Sequence, residues 1–362
     1  MSMKAAVLKA FGSDLTIEDV AEPRLGTGEI IVDVAASRVL PYSNEVFSGE
    51  RQYLLDLPVV PGPGAIARVR AVGPDATHLK PGDWVYCDPT VRSRDNVLEP
   101  DITLQGLSAR GDGGLQLQKH FRDGAWAERM RLPTENALAI GPIEPGAAAS
   151  WCAMGTCLVP YGGWVAANLR PGESVLVSGA TGNFGSAAVA VALAMGAPWV
   201  IAPGRNEAML ADLVRRFGRR ILPVALTGNE ADDRKRMLAA APGPIDCVMD
   251  ILPPQAPAAA VRAAVMTVRQ NGRVVLMGGV GMLGGAGLDL PYPWIMRNCI
   301  TIHGVWMYPR EAIPRMIAMV RAGLLDLAQF AVKEFPLARA NEAVVYAAAN
   351  GGPFQMTVLK PA

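Results

Sequence analysis

A strand that runs into three glycines spaced by three, and then into an alanine-rich helix, restricts the fold of this chain more than any other feature. The stretch is SVLVSGATGNFGSAAVAVALAMGA, Ser174 to Ala197. Ser174–Ser178 is short and mostly apolar, which reads as a buried strand. Gly179, Gly182 and Gly185 let the chain turn sharply, let backbone N–H groups approach a ligand, and let the next helix pack close to the sheet. The spacing is GxxGxxG rather than GxGxxG, and the physics is similar. A helix beginning near Asn183 aims its positive end and its unpaired N–H groups at the turn, where a pyrophosphate would sit. A dinucleotide site at Gly179, Thr181, Gly182, Asn183, Phe184 and Gly185 is the expectation.

The segments beyond the turn support that reading. Strand-like runs recur at Ser174–Ser178, Trp199–Ala202, Ile221–Ala225, Cys247–Leu252, Arg273–Gly278 and Ile300–Trp306, with helical stretches such as Glu207–Phe217 and Pro257–Val268 between them. Near-continuous apolar strands alternating with helices predict a parallel, doubly covered α/β sheet. The first 150 residues differ. EIIVDVAAS and GAIARVRAVG are β-branched segments separated by Gly and Pro, which predicts an antiparallel, barrel-like β region. Asp88–Lys119 is rich in Gly, Asp and Arg without clear periodicity and reads as a long excursion. A helix at Glu311–Ala322 and a last β segment, FQMTVLK, suggest that the C-terminus returns to the first domain. The expected division is 1–152, 153–306 and 307–362.

The end of the second strand of the series selects the dinucleotide. An NAD site usually presents Asp or Glu there to the ribose 2′-hydroxyl. Here the chain reads Val200-Ile201-Ala202-Pro203-Gly204-Arg205-Asn206, with a cation and no acid. A guanidinium binds a 2′-phosphate through charge-assisted bonds that a carboxylate would oppose. NADP(H) is therefore expected, held by Gly204, Arg205 and Asn206.

The charge balance excludes other partners. Lys plus Arg number 34 and Asp plus Glu 33, so no global field recruits nucleic acid or an anionic membrane. The basic run Arg215–Arg220 reads as a helix end closed by Gly218. Five scattered cysteines fit a reducing compartment better than a disulfide framework. MSMKAAVLKA lacks the apolar core of a signal peptide, and the longest apolar run, Ala187 to Ala202, is broken by Gly196 and Pro198. A cytoplasmic protein with no membrane span is the expectation.

The chain resembles the medium-chain dehydrogenase/reductase superfamily over essentially its full length. VVPGPGAIARVRAVG, HLKPGDWVY, DGAWAERMRLPTENAL, LRPGESVLVSGATGNFGS, NGRVVLMGG and GVWMYPREAIPRMIAMVRAGLLDL carry the resemblance. It implies a GroES-like β-barrel catalytic domain, a Rossmann domain, an active site in the cleft between them, and a homodimer joined through the edge of the Rossmann sheet. It also implies that the nicotinamide carboxamide is held by backbone near LMGG and GVW, so Met277, Gly278, Val305 and Trp306 are candidate neighbours.

The departures from the family pattern concern the metal. Zinc-dependent members carry a Cys-His pair where this chain has Leu40 and Pro41. Their GHE becomes Gly62-Pro63-Gly64, and their later cysteine aligns with Gly155. Asp88–Lys119 lacks the four cysteines of a structural zinc lobe, and His78, His120 and His303 stand in no ligand motif. No metal is expected, and Cys152 and Cys157 read as small buried hydrophobes. The resemblance narrows to the zinc-independent branch, similar to quinone oxidoreductases and enone or enoyl-thioester reductases. LPYSNEVFSG looks like a diverged form of the NPxDxxxxxG segment of that branch.

Hydride transfer to an enone or quinone leaves an oxygen to be stabilised and protonated. Without zinc, a Tyr or Ser hydroxyl, the cofactor ribose or water must do so. Tyr42, Tyr53 and Ser43 are the candidates, and Cys157 is a weaker one. Asp250, ending the fourth strand, reads as a structural turn partner. The expected activity is NADPH-dependent reduction of a quinone, enone or other small carbonyl compound, with no nucleic-acid or membrane partner. The alternatives are an alcohol dehydrogenase of the same superfamily or a cofactor-binding homologue without turnover.

Overall fold

The structure is a computed structural model that describes residues 2–361. By contact the chain divides into two units. One comprises Met1–Gly155, Leu327–Gly351 and Gln355–Ala362; the other comprises Thr156–Asp326 and Gly352–Phe354. The boundaries read from the sequence, at 152 and 306, fall earlier in the chain than these.

The first unit begins with β1 (Ser2–Val7) and β2 (Thr16–Ala21), a two-stranded antiparallel pair. The long β3 (Glu29–Val39) leads through α1 (Ser43–Phe47) to β4 (Ala65–Val72) and β5 (Trp84–Cys87). Next along the chain are β6 (Thr90–Arg92), β7 (Ile102–Leu104), β8 (Ser108–Arg110) and α2 (Gly111–Gln118). After these come β9 (Arg129–Pro133), β10 (Ala137–Ala139) and α3 (Ala148–Trp151). Alternating apolar residues of β3, β4 and β5 build the core of this unit: Ile30, Val32, Val34, Ala65, Ala67, Val69, Val85 and Cys87 cluster with Met130 and Leu132. That alternation is what an antiparallel sheet with one buried face requires. The Asp88–Lys119 excursion is not structureless: β6, β7 and β8 pair antiparallel into a small sheet capped by α2. Three-residue strands are too short for a period of two to register.

The helix α4 (Ala153–Ala166) starts in the first unit and continues into the second, where β11 (Val175–Ser178), α5 (Asn183–Ala194), β12 (Val200–Gly204) and α6 (Glu207–Phe217) follow. Then come β13 (Ile221–Ala225), α7 (Glu230–Ala240), β14 (Ile245–Asp250), α8 (Ala258–Val265), β15 (Val268–Leu276), α9 (Tyr292–Arg297), β16 (Thr301–Gly304) and α10 (Ala312–Arg321). The six strands form one sheet in the order β13-β12-β11-β14-β15-β16, every neighbouring pair parallel. This is the doubly wound α/β sheet expected from the sequence. Its winding reverses between β11 and β14, and a crevice opens outside the carboxyl ends of strands at such a reversal. Leu176, Ile201, Val248 and Val274 lie at the centre of the core around the sheet.

The chain closes with β17 (Ala331–Pro336), α11 (Ala340–Asn350) and β18 (Gln355–Lys360). β18 pairs antiparallel with β3 and parallel with β17, so the first unit's seven-stranded sheet is not antiparallel throughout. In β17, AVKEFP, two adjacent charges interrupt the apolar residues, so no alternation shows how it pairs.

Candidate functional site

The three glycines after β11 do three different things. Gly179 has φ +95°, a left-handed conformation that side chains rarely adopt, and it lies against the Ile251 carbonyl that follows β14. Gly185 is the close-packing residue: a Cβ there would stand 1.8 Å from the Gly179 carbonyl oxygen. Gly182 is exposed and extended, φ −88° and ψ 174°, and forms the N-cap of α5 without a side chain to satisfy the helix. No acidic residue stands in the first turn of α5. By contrast, Asn206 and Asn229 cap α6 and α7 through their side chains, and both helices carry acids in their first turns. The positive end of α5 is therefore uncompensated by side chains, next to the carboxyl ends of β11 and β14. Of the other candidates in this turn, Thr181, Asn183 and Phe184 are half-buried, and Asn183 donates its side-chain amide to the Gly352 carbonyl at 3.3 Å.

The end of β12 meets the turn directly. A Cβ on Gly204 would come within 2.8 Å of Thr181 Cγ2. Thr181, Arg205, Asn206, Glu207 and Met209 line one open depression. Arg205 is exposed there. Asn206 Oδ1 accepts from the Met209 N–H at 3.1 Å, which leaves its amide group for any ligand. Glu207, which nothing in the sequence singles out, puts a carboxylate in the same depression. A first-turn acid is such a common helix signal that it conceals this second role.

Two further residues of the second unit matter. Asp250, the last residue of β14, is buried, and its Oδ1 is one of the buried polar atoms with no hydrogen-bond partner. Burial pushes its carboxyl up to about 6, against hydrogen bonds from Ser178 and the Leu252 backbone that lower it. A Cβ on Gly278 would fall 2.4 Å from the other Asp250 oxygen, so glycine is needed beside it. Met277 donates its N–H to the Asp250 carbonyl and Val305 donates to the Leu276 carbonyl, while Trp306 is 46% exposed. An orphaned buried carboxylate oxygen, a glycine cradle and an uncompensated helix start fit a nicotinamide dinucleotide.

In the first unit the structure brings Tyr42 and Tyr53 together, edge to face with ring centroids 6.5 Å apart. Arg51 stacks on the Tyr42 ring at 4.0 Å from its centroid and is held by Glu45, Nε to Oε2 at 2.8 Å. Burial and the neighbouring Tyr53 push the Tyr42 hydroxyl well above the ordinary phenol range, and Arg38 and Arg51 oppose the shift. Ser43 is buried at the start of α1, and in the second unit Cys157 is buried within α4.

The residues do not fit a zinc ion. Leu40, Pro41, Pro63 and Gly155 offer no ligating side chain. Among the described residues, no group of three or more His, Cys, Asp or Glu could hold a metal. Cys152 is buried, and burial pushes its thiol up to about 12. Among the described residues, no helix is long and apolar enough to cross a membrane.

Comparison with known proteins agrees with the fold. Residues 26–142 match the alcohol dehydrogenase GroES-like domain, and residues 184–322 match the family described as zinc-binding dehydrogenase. An alcohol dehydrogenase of Moraxella sp. (strain TAE123) is 27% identical over 333 residues, 89% of each chain. The acryloyl-coenzyme A reductase of Metallosphaera sedula is 28% identical over 235 residues, 63% of this chain and 66% of its own. A zinc-binding dehydrogenase from Sinorhizobium meliloti 1021, solved bound to NADP, superposes with a TM-score of 0.80 at 19% identity, covering all of both chains. A short chain alcohol dehydrogenase from E. coli CFT073, complexed with NADH, also gives 0.80, at 17% identity over 99% of each. These two likenesses speak to the fold. With both domain models matched in order along it, the chain belongs to the medium-chain dehydrogenase/reductase superfamily of nicotinamide-dependent oxidoreductases.

Proposed function

We propose that this chain is a zinc-independent, NADPH-dependent reductase of a small conjugated carbonyl compound, an enone or a quinone. One observation carries the reading. The positions that hold the metal in zinc-dependent members are Leu40, Pro41, Pro63 and Gly155, whereas the glycine turn remains complete. When bound, the dinucleotide supplies a hydride. The chain's own residues do the rest. The first turn of α5 binds the pyrophosphate through backbone N–H groups. Arg205 pairs with the 2′-phosphate, and Glu207 beside it tempers the preference over NADH. Asp250 accepts a hydrogen bond from the nicotinamide half, with Met277, Gly278, Val305 and Trp306 as its surroundings. Tyr42 donates its proton to the oxygen that becomes negative, and Tyr53 and Arg51 fix the ring.

The match to a reductase of an unsaturated thioester supports this branch. The longer match to an alcohol dehydrogenase supports a second reading, interconversion of an alcohol and a carbonyl. Assaying quinones, enones, aldehydes and alcohols with NADPH and NADH, together with metal analysis, separates the two. Turnover of an enone or quinone with NADPH and a negligible zinc content is the expected result. A stoichiometric zinc ion with activity confined to alcohols would overturn the proposal.

A further inference from the structure

One side chain of the first unit carries a buried positive charge beside positions at which zinc-dependent relatives present ligands. Arg38 lies in β3, one residue from its end, and only 6% of it is exposed. Its Nε donates to the Pro63 carbonyl at 3.4 Å. A Cβ on Gly155 would stand 3.1–3.2 Å from its Cζ, Nε and one Nη. Pro63 and Gly155 are two of the positions at which zinc-dependent members present ligands, and Leu40 follows Arg38 by two residues. The guanidinium thus lies against the backbone of positions that would otherwise face a metal.

Steric and electrostatic arguments converge on the same side chain. Gly155 lies in α4, where glycine is about 1 kcal/mol worse than alanine. Any side chain there, a cysteine included, would crowd the guanidinium, so the missing ligand and the room for Arg38 are one change. An arginine remains protonated even when buried, so the charge is permanent. A dication and a guanidinium would repel each other at this distance. Arg38 also acts on Tyr42 and Cys152, opposing the burial that holds both in their neutral forms.

We propose that Arg38 is a built-in cation that occupies the metal's place, so that this part of the first unit rejects a divalent ion even where ligating side chains are supplied.

One experiment tests it. Leu40→Cys, Pro63→His and Gly155→Cys are combined, with Arg38 kept or changed to Ala, and zinc is measured by equilibrium dialysis on protein with an intact melting transition. With Arg38 kept, no zinc should bind; with Arg38→Ala, about one equivalent should. Equal binding in both, or none in either, would overturn the placement. The dialysis does not depend on turnover, so it decides where the guanidinium sits even if the parent reduces no conjugated carbonyl compound and the functional reading fails.

Discussion

The Arg51 guanidinium lies 4.0 Å above the centre of the Tyr42 ring while its Nε is bound to Glu45. A cation over the π face stiffens the ring and lowers the cost of a phenolate beneath it. Because burial holds the Tyr42 hydroxyl well above its ordinary range, the tyrosine stays protonated across the physiological pH range. Tyr42→Phe should lower kcat by about a hundredfold or more, with little change in cofactor affinity. Steady-state kinetics with a separate fluorescence titration of NADPH provide the check, and an unchanged kcat would remove Tyr42 from the chemistry.

Asp250 makes stability depend on pH. Its carboxyl titrates near 6 in the folded chain and near 3.8 when unfolded, so the folded state holds the proton more tightly. Stability contributed by the protonated group is full below about 3.8 and is lost as pH rises toward 6. Above that, the buried charge costs on the order of 3 kcal/mol. Asp250→Asn should therefore stabilise the chain at pH 7.5, and the gain should shrink at pH 4.5. Denaturant titrations at the two pH values measure it.

The glycines of the turn should respond differently to substitution. Gly185→Ala forces a methyl group into the Gly179 carbonyl and should cost about 2 kcal/mol of stability. Gly182 has no atom nearer than 3.3 Å to a built Cβ and has an ordinary φ. Gly182→Val should fold normally and lose dinucleotide binding, because its side chain would stand in the way of the pyrophosphate. Melting curves paired with calorimetric titration distinguish a folding defect from a binding one.

Cofactor preference should turn on two neighbours of opposite charge. A charge-assisted hydrogen bond contributes roughly 1.5–3 kcal/mol, and an exposed arginine delivers the lower end. NADPH should bind about tenfold more tightly than NADH. Arg205→Ala should abolish most of that difference, and Glu207→Gln should widen it severalfold. Titration of both nucleotides at low and high salt tests this, with the preference weakening as salt rises.

One of the two edge strands of the nucleotide-binding sheet, β16, leaves one row of backbone groups without a strand partner within the sheet. Pairing with the same strand of a second copy would cover them. Light scattering at micromolar concentration should give twice the 38.3 kDa chain mass.

Features encoded locally were the ones legible in the sequence. The bounds of α6, Glu207–Phe217, could be read directly because Asn206 starts it, an acid opens it and Gly218 stops it. The glycine turn could be read because its three positions carry steric demands. Strand order could not, since β11 pairs with β14 across more than sixty intervening residues that say nothing about adjacency. The same limit concealed Arg38. Within VDVAASRVLP it looks like one polar residue in a β segment, and only the fold brings Pro63 and Gly155 against it. Asp250 read as a turn residue because burial, which gives its carboxyl its character, is a property of the assembled sheet.

Residues Gly352–Phe354 belong with the nucleotide-binding unit although α11 and β18 on either side belong with the other. Phe354 is fully buried in a left-handed conformation, donates its N–H to Ser186 Oγ on α5, and packs against Phe217 and Arg216. The nucleotide-binding unit is therefore not a contiguous stretch of gene. Expressed alone as 156–326 it would lack a buried side chain that packs beside α5, and it would leave Phe217 and Ser186 without that partner. Any attempt to graft or exchange this unit as a module has to carry those three residues with it.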